Sequence, residues 1–288
     1  MNDYPQDRPV SEPETEQQKA RVTAVFNTVC GDYDNAALRL FPFTADALVN
    51  TLRPHRGWKI LDVATGTGAL AIALAQAVDP SGRVMGIDLS AGMLASAERN
   101  IKKMSLDNVD LFQMDAEAPE FKSNYFNAVT CSFGLFFIPD MAKALAQWSR
   151  VTRPGGTVLF SCFTENAFAE LAACFVEDIK AAGVDLPETA LVSERLKDEA
   201  VCHGLLAKAG LQNIKQETLQ MGYYLHDADD WWRVVWGSAL RGLLERLDES
   251  QWAGFRQQHL ERVSKMTTNK GLWMNVEVRF NSGQTPEQ

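Results

Sequence analysis

The sequence predicts an α/β protein built on a doubly wound, mostly parallel sheet. Between residues 58 and 163, short apolar runs alternate with helical stretches. The runs are too apolar to have a wetted face, which is the mark of strands covered on both sides. A glycine-rich turn also joins the first run to the helix behind it, as open α/β sheets require where they bind ligands. With 288 residues and 46% hydrophobic content, the chain can bury one large core.

Taken in order, residues 1–18 are rich in Pro, Glu, Asp and Gln and read as a flexible arm. Residues 19–57 carry two helical patterns, broken by "CGDYDN" and Pro42, and form an N-terminal helical layer. The core is expected over 58–226. Its strands are "WKILDVA", "RVMGIDL", "VDLFQM", "FNAVTCSF" and "GTVLFSCF", with helices starting near Gly68, Ala91 and Met141. Two more helical patterns follow, the second ending at "LLAKAG" with Gly210 suited to a left-handed cap, and "LQNIKQETLQMGYYL" is the sixth strand. Residues 227–269 insert a helical pair. Its first member, "DDWWRVVWGSALRGLLERL", has an apolar stripe through Trp232, Val235, Trp236, Leu240 and Leu243 that docks on the body. "GLWMNVEVRF" opens a final strand over 270–283, and 284–288 reads as a tail.

Composition narrows the function. A net charge of -9 argues against nucleic acid or an anionic membrane as partner. No apolar run reaches the roughly 18 residues of a membrane span, and the start lacks a secretory signal, so a cytoplasmic location is expected. Five cysteines without a C-x-x-C pair and four scattered histidines suggest no metal.

The turn "ATGTGALA" meets a loose form of the dinucleotide fingerprint, so an NAD(P)-dependent oxidoreductase is one reading. Asp62 discriminates against it. A carboxylate four positions before Gly66 would repel a diphosphate, whereas it suits a ligand carrying an ammonium or sulfonium. Asp88, ending the second strand, can accept ribose hydroxyls under either reading.

"LDVATGTG" resembles the first motif of class I S-adenosylmethionine-dependent methyltransferases, with Ala64 in place of the first glycine. "VFNTVCGDYDN" is similar to the stretch ahead of the core in ubiquinone and menaquinone methyltransferases, and the resemblance covers about residues 25–163. It implies a Rossmann-like sheet of seven strands, the last antiparallel, and S-adenosyl-L-methionine as cofactor. Carried over by position, Asp62, Ala64, Gly66 and Gly68 cradle the amino-acid and ribose parts. Asp88 takes the ribose hydroxyls, Leu89 and Met93 flank the adenine, and Asp115 with the Ala116 amide meets its edge. Tyr33 folds over the sulfonium, and Ser132 lies beside the methyl group.

Methyl transfer needs alignment and exclusion of water more than a catalytic triad. Phe133, Phe136 and Phe137 are expected to wall the acceptor, joined by Tyr223 from the sixth strand and by Trp232 and Trp236 as a lid. His226 is the candidate general base, against the plainer reading of a surface histidine. The expected function is methylation of a small aromatic or quinone-like acceptor, in secondary metabolism because the helical insertion exceeds what the quinone branch carries. The alternatives are the oxidoreductase and a methyltransferase-like binding protein without turnover. The aromatic-rich insertion can equally cover a second copy, giving a homodimer.

Overall fold

Ile60, Leu61 and Val63 are wholly buried along the first strand, β1 (Lys59–Val63), because neighbours cover both of its faces. The computed structural model of the chain describes residues 12–186 and 192–287. Ahead of β1 lie α1 (Glu12–Val29) and α2 (Leu40–Leu52). Behind it come α3 (Ala69–Val78), β2 (Arg83–Asp88), α4 (Ala91–Lys103), β3 (Val109–Gln113), β4 (Phe126–Ser132), α5 (Met141–Val151) and β5 (Thr152–Phe163). The remainder is α6 (Ala169–Ala181), α7 (Glu199–Lys208), β6 (Gln212–Gln220), β7 (Tyr223–Leu225), α8 (Ala228–Trp236), α9 (Arg241–Leu244), α10 (Glu249–Ser264), β8 (Leu272–Met274) and β9 (Glu277–Gln284).

Seven strands form the main sheet in the order β3-β2-β1-β4-β5-β9-β6. The first five pair in parallel, and β9 runs antiparallel between β5 and β6. This is the expected doubly wound, Rossmann-like sheet with a reversed last strand. Strand order reverses at the β1/β4 pair, so the loops leaving those strands diverge at one edge and open a crevice. Helix starts are set there by side-chain caps: Ser90 Oγ accepts from the Met93 amide at 3.1 Å and Asp140 Oδ1 from the Lys143 amide at 2.9 Å.

Four expectations need correction. The arm placed over 1–18 becomes helical from Glu12 in α1, and residues 1–11 lie outside the described residues. The sixth and last strands each break in two, and β7 pairs with β8 in a separate antiparallel sheet. Gly222 marks the break. A Cβ there would stand 2.7 Å from the Trp273 ring and 2.8 Å from the Met274 carbonyl, and the Gln220 side chain bridges the corner to the Gly222 amide and to Asn275.

The single helix expected over "DDWWRVVWGSALRGLLERL" is α8 and α9. It stops at Gly237, whose Cα abuts the Asp32 carbonyl and Asn35 so closely that a Cβ would meet them at 2.7 Å. The buried face of α8 is accordingly Ala228, Trp231, Val234 and Val235, while Trp232 and Trp236 are half-buried. The tail expected from 284 instead begins inside β9, and Thr285 goes on to bond the Gly156 carbonyl at 3.0 Å. Among the described residues no helix is long and apolar enough to cross a membrane.

Candidate active site

The turn after β1 is built from left-handed backbone: Ala64, Gly66 and Gly68 have φ of 52°, 57° and 88°. Gly68 starts α3 and packs against Ala97, which a Cβ would meet at 3.2 Å, so it serves helix packing and does not line the crevice. Gly134, in the loop leaving β4, lies so near that a Cβ on it would stand 2.5 Å from the Ala64 Cβ. The two loops at the switch point therefore touch.

Asp88 holds the turn in place. Its Oδ2 accepts from the Gly66 amide at 2.9 Å and its Oδ1 from the Ser90 amide at 2.8 Å. Burial raises its pKa, with the amides pulling the other way. Asp62 lies differently from the sequence expectation. It is 1% exposed and does not line the crevice; its carboxylate accepts from Thr65 Oγ1 at 2.6 Å and Thr130 Oγ1 at 2.9 Å. Burial pushes its pKa up to about 7, against the two threonine bonds. Asp62 props the turn from below, so direct contact with a cofactor cation is not its role in this geometry.

Above the turn is an open cleft, ≈ 790 Å³ when the solvent at its mouth is counted. Tyr33, Ala64, Gly66 and Asp88 line it, as do Leu89, Met93, Asp115, Ala116 and Ser132. Every residue expected at the cofactor except Asp62 and Gly68 is thus brought to one place. Tyr33 is held over the cleft by a stacked Phe41 at 4.6 Å and an edge-on Phe26 at 6.2 Å. Burial, with Asp88 and Asp34 nearby, keeps its hydroxyl protonated far above the usual range.

A second cavity of ≈ 1540 Å³ adjoins the first and shares Phe26, Tyr33, Phe133 and Phe137 with it. Phe133 stacks on Phe163 at 4.2 Å, Phe26 meets Phe137 edge-on at 5.0 Å, and Phe136, Phe168 and Leu240 complete the apolar wall. Phe133 and Phe168 have φ of 53° and 58°, a backbone conformation costing about 1 kcal/mol or more for a bulky residue. The surroundings impose it: Phe168 N donates to the Asn275 carbonyl at 2.7 Å and Phe133 N to the Ser161 carbonyl at 3.2 Å. Arg195 pins the loop by donating to the carbonyls of Phe136, Ile138 and Pro139 at 2.9, 2.7 and 2.9 Å.

Phe133, Phe136 and Phe137 lie where the sequence placed them, but the other acceptor candidates do not. Tyr223 donates its hydroxyl to the Ala37 carbonyl at 2.7 Å and ties β7 to the N-terminal layer, away from the cavity. Trp232 packs on Phe255, and Trp236 on Trp252 and Arg241, outside it. His226 is 88% exposed and bonded to Asp227 at 2.8 Å, which raises its pKa, and it reaches neither space. Lys19, Phe41, Phe163 and Phe168 are lining residues the sequence did not reveal. The one available signal was the aromatic run "SCFTENAF", placed at the same sheet edge by the end of β5.

Cys174, Asp178 and His259 form a cluster whose polar atoms lie within 4.8 Å of one another. Trp231 Nε1 donates to His259 Nε2 at 2.9 Å, which leaves the imidazole proton on Nδ1, facing Asp178 Oδ2 at 2.6 Å. With both ring nitrogens so engaged, the cluster is a hydrogen-bond chain joining α6, α8 and α10 and no ligand set.

The sequence profile of the ubiE/COQ5 methyltransferase family matches residues 14–181, which hold the turn, the strand-end acids and the β4 loop. The chain belongs to the ubiE/COQ5 methyltransferase family. Its cofactor is S-adenosylmethionine, and membership displaces the oxidoreductase reading. The ubiE/COQ5 chain is 33% identical over 143 residues to aklanonic acid methyltransferase DauC of Streptomyces sp. (strain C5), covering 50% of this chain and 65% of that one. It is 31% identical over 215 residues to the ubiquinone/menaquinone biosynthesis C-methyltransferase UbiE of Francisella philomiragia, covering 73% and 83%. Thus the chain spans just under two thirds of DauC's length. A solved structure named the [4+2]-cyclase SpnF shares the fold, with TM-score 0.62 and 19% identity over 97% of this chain and 98% of that one.

The cleft suits the family's cofactor. Asp88 and Asp115 line it with carboxylate oxygens that each accept one bond and have capacity for another, Leu89 and Met93 are apolar lining residues, and Gly66 brings a residue without a side chain.

Proposed function

We propose that this protein methylates a small aromatic or quinone-like acceptor of secondary metabolism, with the cofactor in the first cleft and the acceptor in the second cavity. One observation carries the reading: Phe26, Tyr33, Phe133 and Phe137 belong to both spaces and form an aromatic collar between them. When bound, S-adenosylmethionine supplies a methyl group already activated by its sulfonium. The collar keeps water from the path and fixes the line of approach, effects worth about 7 to 11 kcal/mol in well-oriented systems. The electron-rich ring faces also favour a passing cation.

The acids at the acceptor cavity, Glu165 and Glu194, are exposed at its rim. Among the described residues no candidate base stands at the collar, where Tyr33 stays protonated. An acceptor that ionises by itself, such as an acidic phenol, enol or carboxylic acid, fits such a wall. The names of DauC and UbiE, one an acid methyltransferase and the other a quinone-pathway enzyme, agree with that range. We place the protein in the cytoplasm, in keeping with its charge and its lack of a spanning helix among the described residues. A second copy would dock on the exposed, touching Tyr224 and Trp273 of the small sheet.

Incubation with methyl-labelled S-adenosylmethionine and a panel of hydroquinones, polyphenols and polycyclic aromatic acids tests this. Label transfer and S-adenosylhomocysteine release with an aromatic member are expected. Tight binding of S-adenosylhomocysteine with aromatic ligands bound but never methylated would favour the second reading, a binding protein without turnover.

A further inference from the structure

Lys19 lies near the middle of α1, and its ammonium reaches into the cofactor cleft. It is 2.7 Å from Asp115 Oδ2 and 3.2 Å from Glu117 Oε2, and its side chain is 11% exposed. Glu117 is the more demanding partner because its side chain is 1% exposed. One of its oxygens accepts from the Asp140 amide at 3.0 Å, and the other faces Lys19 and, at 3.6 Å, Lys143. Asp115 Oδ1 accepts from the Glu117 amide at 2.8 Å. Two carboxylates thus share a small space, and the ammonium of Lys19 sits between them.

The second half of α1 packs through the half-buried Val22, Val25 and Phe26. Val29 is its one buried residue among those described. At its far end Asn27 Oδ1 accepts from Ser90 Oγ at 2.7 Å and from the Gly92 amide at 3.0 Å, beside Phe26 in the collar. Between the Asn27 contacts and the ion pairs of Lys19, α1 covers the cleft through Val22 and Thr23.

We propose that Lys19 is a positioning residue of the cofactor site, holding Asp115 aimed at the adenine end while bolting α1 over the cleft, so that cofactor binding and closure of α1 reinforce each other. The inference rests on the reading that the first cleft takes the S-adenosyl compound. Without the ammonium, Asp115 would face the buried Glu117 carboxylate with no cation between them, and the two would repel, turning Asp115 from its aim. With it, Asp115 uses one lone pair on each oxygen and keeps the others for an exocyclic amine. Burial alone would lower the Lys19 pKa, but its two carboxylate partners push it well above the ordinary value, so the bolt is charged at any working pH.

Calorimetric titration of S-adenosylhomocysteine, with hydrogen exchange of the α1 amides in its presence and absence, tests the role. Wild type should bind, and binding should slow exchange in α1. Lys19→Met should weaken binding about tenfold and abolish the slowing, while Lys19→Arg restores both to within about threefold. In an Asp115→Asn background, Lys19→Met should cost clearly less affinity than in wild type, because only the bolt to Glu117 is then lost, whereas a lysine that does not act through Asp115 would cost the same in both. If Lys19→Met binds as well as wild type or better, with α1 protected, the proposal is overturned. Should wild type itself fail to bind, the assignment of the cleft falls instead.

Discussion

The Gly66 amide donates to Asp88 Oδ2 at 2.9 Å, so the acid that ends β2 fixes the turn that leaves β1. The same carboxylate accepts from Ser90 at the start of α4. A cofactor ribose bound in the cleft as we propose would share this one side chain with the loop. Asp88→Ala should weaken S-adenosylhomocysteine binding by about 1–3 kcal/mol, from lost bonds to the ligand and a loosened turn. Asp88→Asn, which keeps one acceptor oxygen, should fall between. Calorimetry on both variants decides it, and unchanged affinity in the alanine variant would remove Asp88 from the site.

Asp62 predicts a pH effect on stability. With a pKa of about 7 in the fold against an ordinary value of 3.8, it keeps its proton when folded and loses it when unfolded. Below the ordinary value both states are neutral and nothing is lost. Stability then falls as pH rises through the window between 3.8 and about 7, by on the order of 4 kcal/mol when complete. Asp62→Asn escapes this penalty. Thermal melts from pH 5 to 8 should show the variant gaining on wild type as pH rises; parallel curves would contradict the buried, threonine-bonded carboxylate.

The sheet was legible in the sequence because parallel strands buried on both faces leave uninterrupted apolar runs, and Asp88 and Asp115 stand where such runs end. Asp62 shows the limit of that reading. Its place on β1 is evident, but the direction of its side chain is set by Thr130 on the neighbouring strand, far away in sequence. Lys19 was hidden because its partners Asp115 and Glu117 lie on a distant loop, almost a hundred residues further along the chain, and no local pattern links them. Trp232 and Trp236 were misplaced because the stripe was phased through Gly237, where contact with the N-terminal layer ends the helix and resets the face.

His259 predicts acid sensitivity of the helices around the acceptor cavity. It is fully buried and neutral, and burial lowers its pKa below the ordinary 6.5 despite Asp178. Protonation would set an N–H against the Trp231 N–H. A base with a depressed pKa contributes stability that is present above 6.5 and lost as pH falls through the lower folded value. Asp178, which burial would raise but His259 and Arg262 hold low, adds a further loss at lower pH. His259→Phe keeps the stack on Phe255 but leaves Trp231 and Asp178 without that partner, and should cost about 1–3 kcal/mol at pH 8. Urea denaturation at pH 8 and 5.5 should show the gap from wild type narrowing in acid; a constant gap would mean that His259 does not titrate in this range.

Ala172 gives a way to separate the two spaces. It lies on α6, half-buried, and lines the acceptor cavity but not the cofactor cleft. An indole at that position would project into empty space walled by Phe163 and Phe168, so the fold has room for it without the overpacking that a filled core would suffer. Ala172→Trp should leave S-adenosylhomocysteine affinity unchanged within about twofold, because no atom of the first cleft moves. Binding of the apolar probe anilinonaphthalene sulfonate, read by its fluorescence, should drop several-fold, and methyl transfer to any acceptor found should drop with it. Loss of cofactor affinity in this variant would show that the spaces are not independent, and retained probe binding would show that the acceptor enters elsewhere.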